Sequence, residues 1–157
     1  MIKKVLFGKE SRDEMLVGIQ AITNAVRITM GSSGKCCLIG NSVYGNDGMV
    51  NLPTLVSKDG YQVTKHFELP DAVQNRGAMM IKEAAAKTVE QAGDATTCTC
   101  VLAESLITNG MKLIDEGANS QQLKKGMDKA LEYVVDELKK MSTPVKGDIE
   151  RIRQIAT

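Results

Sequence analysis

Apolar residues recur at steps of three and four along most of this chain, and this spacing constrains the fold more than any other feature. Such spacing puts the apolar side chains on one face of an α-helix, so the sequence predicts four helices with apolar residues at helical spacing, the first of them with a buried stripe. A fifth, shorter segment with the same spacing closes the sequence. The four stripes are Met15, Ile19, Ile22, Val26 and Met30; Ala78, Ile81, Ala85, Val89 and Ala92; Leu102, Leu106 and Leu113; and Leu123, Met127, Ala130, Val134, Leu138 and Met141.

Capping and breaking residues set the expected limits of these helices. Ser11 and Glu14 have the spacing of a capping box for the first helix, which should end at Gly31. A helix beginning near Asp71 should break at Gly93, and a polar cap at Asn119 should start the fourth helix. Between the first two helices, residues 36–39 and 54–57 are expected to form short strands, with a hairpin-type turn at residues 46–48.

Three polar loops interrupt this pattern. The first two are residues 29–35, TMGSSGK, and residues 56–60, VSKDG; the third is residues 93–99, GDATTCT, where one helix stops and another begins. A helix start leaves backbone N–H groups unpaired and attracts phosphate oxygens, while an adjacent carboxylate can hold Mg²⁺. Asp or Thr at such a place is more often a simple N-cap. Three such loops together, however, could converge on one ligand.

In order and spacing, these loops resemble the nucleotide site of the GroEL-type (group I) chaperonins, which carry a T-L-G-P-K-G-like loop, a T-K-D-G turn and a G-D-G-T-T-T loop. The likeness continues through residues 5–8, 75–83 and 123–130. The resemblance implies a mainly α fold, an equatorial-domain-like helical bundle with a small β-hairpin. It assigns residues 1–142 to the N-terminal part of the equatorial ATP-binding domain and residues 143–157 to the start of the intermediate-domain connection. The apical domain and the returning equatorial segment are absent from the sequence.

The resemblance also implies roles for individual residues at the three loops. Asp94 is expected to hold Mg²⁺, and Asp59 is expected to be catalytic by positioning the attacking water. Asp59 also fits an ordinary turn in which it caps its own backbone. The residues expected to bind the nucleotide are Thr29, Met30, Gly31, Ser32, Lys58, Asp94, Ala95, Thr96, Thr97 and Cys98.

Three positions depart from the family pattern. Ser32 replaces the loop proline, which removes a fixed φ angle. Ala95 replaces a glycine and would be unfavourable if φ must be positive there. Cys98 replaces a threonine and removes one hydroxyl donor. We therefore expect a divergent nucleotide site in which Asp59, Asp94, Thr96 and Thr97 are retained.

The implied function is that of an ATP-dependent molecular chaperone subunit, an ATPase that uses ATP and Mg²⁺ within a ring of identical subunits. Its partners would be unfolded client proteins, and the need for a co-chaperonin lid stays open. The 157-residue segment alone is not expected to be active, because the family draws a second catalytic Asp from its intermediate region. The alternative is a truncated, non-enzymatic equatorial fragment that docks onto full-length chaperonin subunits.

Composition restricts the remaining function classes. Lys and Arg number 20 against 19 Asp and Glu, so no basic field favours nucleic acid as a partner. No apolar run suits a signal peptide or a membrane span, and a cytoplasmic location is the expectation. The cysteine pairs, Cys36 with Cys37 and Cys98 with Cys100, lack the spacing of zinc ligands. Reduced, partly buried thiols are therefore expected.

Overall fold

The computed structural model describes residues 5–45 and 48–156, of which residues 41–45, 48–52 and 156 are described by their backbone alone. The chain divides into two compact units, the first ending at Glu116 and the second beginning at Gly117. Within the described residues no helix is long and apolar enough to cross a membrane. The elements are α1 (Gly8–Arg27), β1 (Cys37–Gly45), β2 (Gly48–Ser57), α2 (Gly60–His66), α3 (Ala72–Ala92), α4 (Thr96–Asp115), α5 (Ser120–Met141) and α6 (Ile149–Ala156).

The core of the first unit lies where α1, α3 and α4 meet. The predicted stripe of α1 is buried over its central part and packs against the small and branched residues of α3. Gly18 and Gly77 let these two helices approach closely, because a Cβ at Gly18 would overlap the Gln74 carbonyl and one at Gly77 the Met15 carbonyl. The buried apolar residues are Ile19, Ile22, Val26, Val63, Ala78, Ile81, Ala85 and Cys100.

The β-hairpin is antiparallel, and its strands are longer than predicted. Cys37 pairs with Ser57 at the open end and Gly45 with Gly48 at the turn, with an irregularity in register between Ile39 and Asn41. The sequence predicted only the parts nearest the core, because residues farther out have no apolar alternation. The predicted turn includes residues 46 and 47, which lie outside the described residues.

Two of the predicted helix starts are confirmed. The Asp71 side chain accepts the N–H groups of Val73 and Gln74 and begins α3, and Asn119 caps α5 in the same way. The capping box at Ser11 is wrong, since α1 already begins at Gly8. The Glu14 carboxylate instead accepts a hydrogen bond at 2.8 Å from the Gln74 amide of α3. A tertiary contact therefore takes the side chain that would have closed the box.

Helix ends agree with the sequence to within a few residues. Gly93 terminates α3 in the left-handed conformation, with φ of 76°, as expected for a glycine at that position. The first helix ends at Arg27, before Gly31, and the turn that follows contains Gly31 at φ of 75°. Helix α2 was not predicted, because its seven residues are too few for a clear period.

The second unit consists of α5, α6 and their connection. Helix α5 has the predicted apolar stripe, yet none of its residues is buried. Helix α6 contains the three isoleucines of the last short segment, all of them exposed. With six helices and one two-stranded sheet in the described residues, the prediction of a mainly α fold with a small hairpin is confirmed.

Candidate functional site

The three polar loops of the sequence meet around one pocket of about 350 Å³ in the first unit. A larger depression of about 480 Å³ is lined, among the described residues, by side chains of α1 alone. The polar pocket instead joins three separate elements. Its walls are Thr29, Met30, Gly31, Lys58, Asp59, Gly60, Asp94, Ala95, Thr96, Thr97 and Cys98.

The first wall is a tight turn that follows α1. The Thr29 amide donates to the Val26 carbonyl at 2.9 Å, and the Lys35 amide donates to the Ile28 carbonyl at 2.7 Å, which closes the loop. Gly31 has a φ of 75°, a conformation that side-chain-bearing residues seldom adopt. The loop is thus held by its own backbone and presents Thr29 to Gly31 to the pocket.

The second wall is the turn before α2. The Asp59 carboxylate accepts the Tyr61 amide at 2.9 Å and so caps α2, while its own amide donates to the Ser57 hydroxyl at 3.0 Å. This is the capping role weighed for Asp59 in the sequence. Asp59 is nevertheless exposed and borders the pocket, so the cap fixes the direction of a carboxylate that solvent and ligand can reach.

The third wall is the junction between α3 and α4. Ala95 is left-handed, with φ of 71°, and among the described residues it is the one non-glycine with positive φ. Its amide donates to the Asp94 carboxylate at 2.6 Å. No described side chain caps the start of α4, and the first residues of this helix line the pocket. Such an uncapped start is suited to an anion.

A hydroxyl pair joins the first and third walls. Oγ1 of Thr29 lies 3.2 Å from Oγ1 of Thr97, and the Thr29 hydroxyl also donates to the Val26 carbonyl at 2.7 Å. A hydroxyl has one proton, so Thr97 must be the donor within the pair. The proton of Thr97 is therefore directed at Thr29, and its oxygen keeps acceptor capacity.

The cysteines of α4 differ sharply in environment. Cys98 borders the pocket and is exposed, whereas Cys100 is fully buried in the core. Burial raises the pKa of the Cys100 thiol to about 11, which keeps it protonated and unreactive at neutral pH. Cys98 is thus the thiol that a ligand or reagent in the pocket would meet.

A divalent cation at this site would depend on few protein ligands. Within the described part of the chain, no three His, Cys, Asp or Glu side chains come together as a metal cluster. Mg²⁺ bound to phosphates commonly takes one or two carboxylates, with water and phosphate oxygens completing its shell. The exposed Asp94 carboxylate beside the uncapped start of α4 fits that arrangement.

The pocket brings together all but one of the sequence-predicted site residues. Ser32 is exposed and is not part of the wall, because the turn after Gly31 carries it outward. Gly60 belongs to the wall and was missed as a site residue. In the sequence it is the glycine of the Lys-Asp-Gly turn, which was interpreted only as a residue that favours a turn.

Comparison with known proteins gives two findings. A family model described as the TCP-1/cpn60 chaperonin family matches residues 22–157. Among solved structures, the fold is similar to the chaperonin gp146 from the bacteriophage EL 2 (Pseudomonas aeruginosa), crystallised in presence of ATP-BeFx, at 27% identity and a TM-score of 0.70. That match covers 88% of this chain and 22% of the phage chain. These findings confirm the chaperonin resemblance and the equatorial-domain-like fold.

Proposed function

This chain belongs to the TCP-1/cpn60 chaperonin family, and we propose that it is the N-terminal equatorial part of an ATP-dependent chaperone subunit. The observation that carries this proposal is the convergence of three polar loops around the uncapped start of α4. The similar phage chaperonin was crystallised in presence of ATP-BeFx, which supports nucleotide as the ligand class. We propose residues 1–142 as the equatorial part and residues 143–157 as the start of the connection to an intermediate domain.

The phosphates would bind at the first turn of α4. The backbone N–H groups of Thr96, Thr97 and Cys98 supply donors there, and the partial positive charge of the helix start favours an anion. Ala95 contributes by its left-handed backbone, which turns the chain from Asp94 into the helix. The hydroxyl of Thr97 is committed to Thr29, so backbone amides rather than this hydroxyl are the main donors.

The remaining pocket residues would hold the base, ribose and metal. Thr29, Met30 and Gly31 form a backbone-rich wall for the nucleotide, with Lys58 as the nearby cation. Ser32 contributes through the shape of its loop, since its side chain lies outside the wall. Mg²⁺, when bound through Asp94, would neutralise phosphate charge.

Asp59 is the proposed catalytic residue. Its cap of α2 uses one carboxylate oxygen, Oδ1, which fixes the orientation of the group in the pocket wall. A fixed, exposed carboxylate is suited to orienting a water molecule for phosphoryl transfer. Removing the side chain should therefore slow hydrolysis more than it weakens nucleotide binding.

At the level of the whole protein, we propose a ring of identical subunits in the cytoplasm that captures and releases unfolded proteins. Nucleotide binding and hydrolysis would shift the subunit between states of different client affinity.

Two variants of the complete polypeptide test the site. Asp94→Ala should abolish Mg²⁺-dependent ATP turnover, and Asp59→Ala should keep ATP binding while turnover falls by roughly 10²-fold or more. The measurements are steady-state phosphate release and isothermal titration with ATP and Mg²⁺. Unchanged turnover in Asp94→Ala would contradict the metal assignment, and loss of binding in Asp59→Ala would make its role structural.

The second candidate is a non-enzymatic fragment that docks onto full-length chaperonin subunits. This chain matches 22% of the length of the phage chaperonin, and the two candidates differ in the length of the subunit that they predict. Native mass spectrometry of the protein from its source separates the two. Long subunits in a large ring support the ATPase, whereas a free species of 17.0 kDa supports the docking fragment.

A further inference from the structure

Gly60 stands at the point where the three walls of the pocket touch. It is the first residue of α2, directly after Asp59, and it is buried although Asp59 is exposed. A Cβ built on Gly60 would overlap Oγ1 of Thr97 and would lie 3.1 Å from Cγ1 of Val26 and 3.5 Å from Oγ1 of Thr29. The missing side chain is thus what lets α2, the loop after α1 and the start of α4 come into contact.

The atoms that surround Gly60 have little freedom to move. Thr97 is β-branched and lies in the first turn of α4, so few χ1 rotamers are open to it. Its hydroxyl is hydrogen-bonded to the Thr29 hydroxyl, which in turn donates a hydrogen bond to the Val26 carbonyl. Val26 itself is fully buried in the core. A methyl group at position 60 must therefore break the hydroxyl pair or push the turn of Asp59 away from α4.

We propose that Gly60 is a positioning residue of the nucleotide site, which sets the separation between the Asp59 turn and the phosphate-binding start of α4. Gly60 acts through Thr97 and Thr29 and makes no contact with ligand in this role. The inference rests on the proposed function, because it assigns Asp59 and the α4 start to one nucleotide. It predicts that a single methyl group at position 60 impairs both binding and hydrolysis.

Gly60→Ala in the complete polypeptide is the direct test, with MgATP as the probe. We expect its dissociation constant to rise and its turnover number to fall, each by roughly tenfold or more, since displacements near 1 Å can cost up to 10²-fold. Gly126→Ala is the matched control, because no described residue has an atom within 4 Å of a Cβ there and its φ is not positive. The control should bind and hydrolyse MgATP as the wild type does.

A double variant separates positioning from a general folding defect. Gly60→Ala combined with Thr97→Ala removes the oxygen that the new methyl group would meet. We expect Gly60→Ala to raise the dissociation constant by less in the Thr97→Ala background, because the overlap with the Thr97 oxygen is gone and the closest contact that remains is the one at 3.1 Å with Cγ1 of Val26. A full tenfold effect in that background, or a double variant that does not fold, would overturn the inference.

The two hypotheses fail in different ways. If the wild type and Gly126→Ala bind no MgATP, the proposed function is overturned and the inference with it. If the wild type binds MgATP and Gly60→Ala binds and hydrolyses it equally well, the inference alone is overturned. Weakened binding in Gly60→Ala that becomes smaller in the Thr97→Ala background supports both.

Discussion

Helices α1 and α5 have the same kind of apolar stripe, but only α1 buries it. Ile19, Ile22 and Val26 of α1 are at most 1% exposed, whereas Val134 and Leu138 of α5 are 50% and 58% exposed. The residue spacing that predicted both helices therefore does not predict which element packs against their apolar faces. For α1 the cover is α3 and α4 of the same unit, and glycines at the contact with α3 let these two helices approach closely. A periodic stripe indicates a face to be covered, and the partner must be found elsewhere.

The largest expected effect comes from truncating one leucine-sized side chain in each helix. Ile22→Ala removes a fully buried side chain and should lower the free energy of unfolding by about 3 kcal/mol. Leu138→Ala on α5 removes an exposed side chain and should change it by less than about 0.5 kcal/mol. Urea unfolding followed by circular dichroism measures both. An equal loss for the two variants would show that the α5 stripe is covered in solution and would remove the contrast.

Glycines on the two helices give the next test. Gly18→Ala places a methyl group against the Gln74 carbonyl and should destabilise the first unit by about 2 kcal/mol through overpacking. Gly126→Ala, in open space on α5, should stabilise its helix by about 0.5 to 1 kcal/mol, since alanine is the better helix former. Opposite signs in the shift of thermal midpoint are expected. A destabilising Gly126→Ala would indicate a close neighbour that α5 does not have in this unit.

Much of the fold could be predicted because the spacing of apolar residues along a helix follows the helical period. The starts at Asp71 and Asn119 and the break at Gly93 were predicted, since each depends on a local backbone interaction. The predicted start at Ser11 was wrong, because the Glu14 carboxylate accepts a hydrogen bond from the side chain of Gln74, 60 positions away. The outer parts of the strands were missed because they have no apolar alternation, and α2 was missed because its seven residues are too few for a clear period.

The candidate site was predictable to the same degree and with the same limit. Thr29, Asp59 and Asp94 were selected as members of three loops, and the structure places all three around one pocket. Their convergence depends on α1, α3 and α4 packing together, which the spacing alone does not contain. Gly60 was missed because its contribution is the absence of a side chain, visible only when Thr97 and Val26 are placed around it.

The starts of α4 and α5 extend the comparison from stripes to caps. Ala95→Gly should stabilise the first unit by about 1 kcal/mol, because a left-handed residue with a Cβ is strained. Asn119→Ala should cost about 1 kcal/mol, since the Asn119 side chain accepts two amides of α5. Thermal unfolding of both variants tests this contrast. A destabilising Ala95→Gly would mean that the left-handed backbone of Ala95 is not strained.

The smallest effect concerns ion pairs. Asp115 binds Arg12 at 2.7 Å across the first unit, while Asp136 of α5 pairs with Lys139 at 3.6 Å within its own helix. The hydrogen bond from Arg12 lowers the pKa of Asp115 below its ordinary value of 3.8. A lowered folded-state pKa stabilises the fold above the ordinary value, and this contribution is lost as the pH falls through the folded-state pKa.

Asp115→Asn should therefore lower the urea midpoint slightly at pH 7. This deficit should shrink as the pH falls below 3.8, because the Asp115 carboxylate of the wild type then becomes protonated. The change is small because both partners are partly solvent-exposed. Asp136→Asn should leave the midpoint unchanged at both pH values, because its partner lies on the same helix and the pair connects no separate elements. An Asp115→Asn deficit that persists undiminished at acidic pH would mean that the side chain acts by packing. The long-range ion pair would then no longer distinguish the first unit from α5.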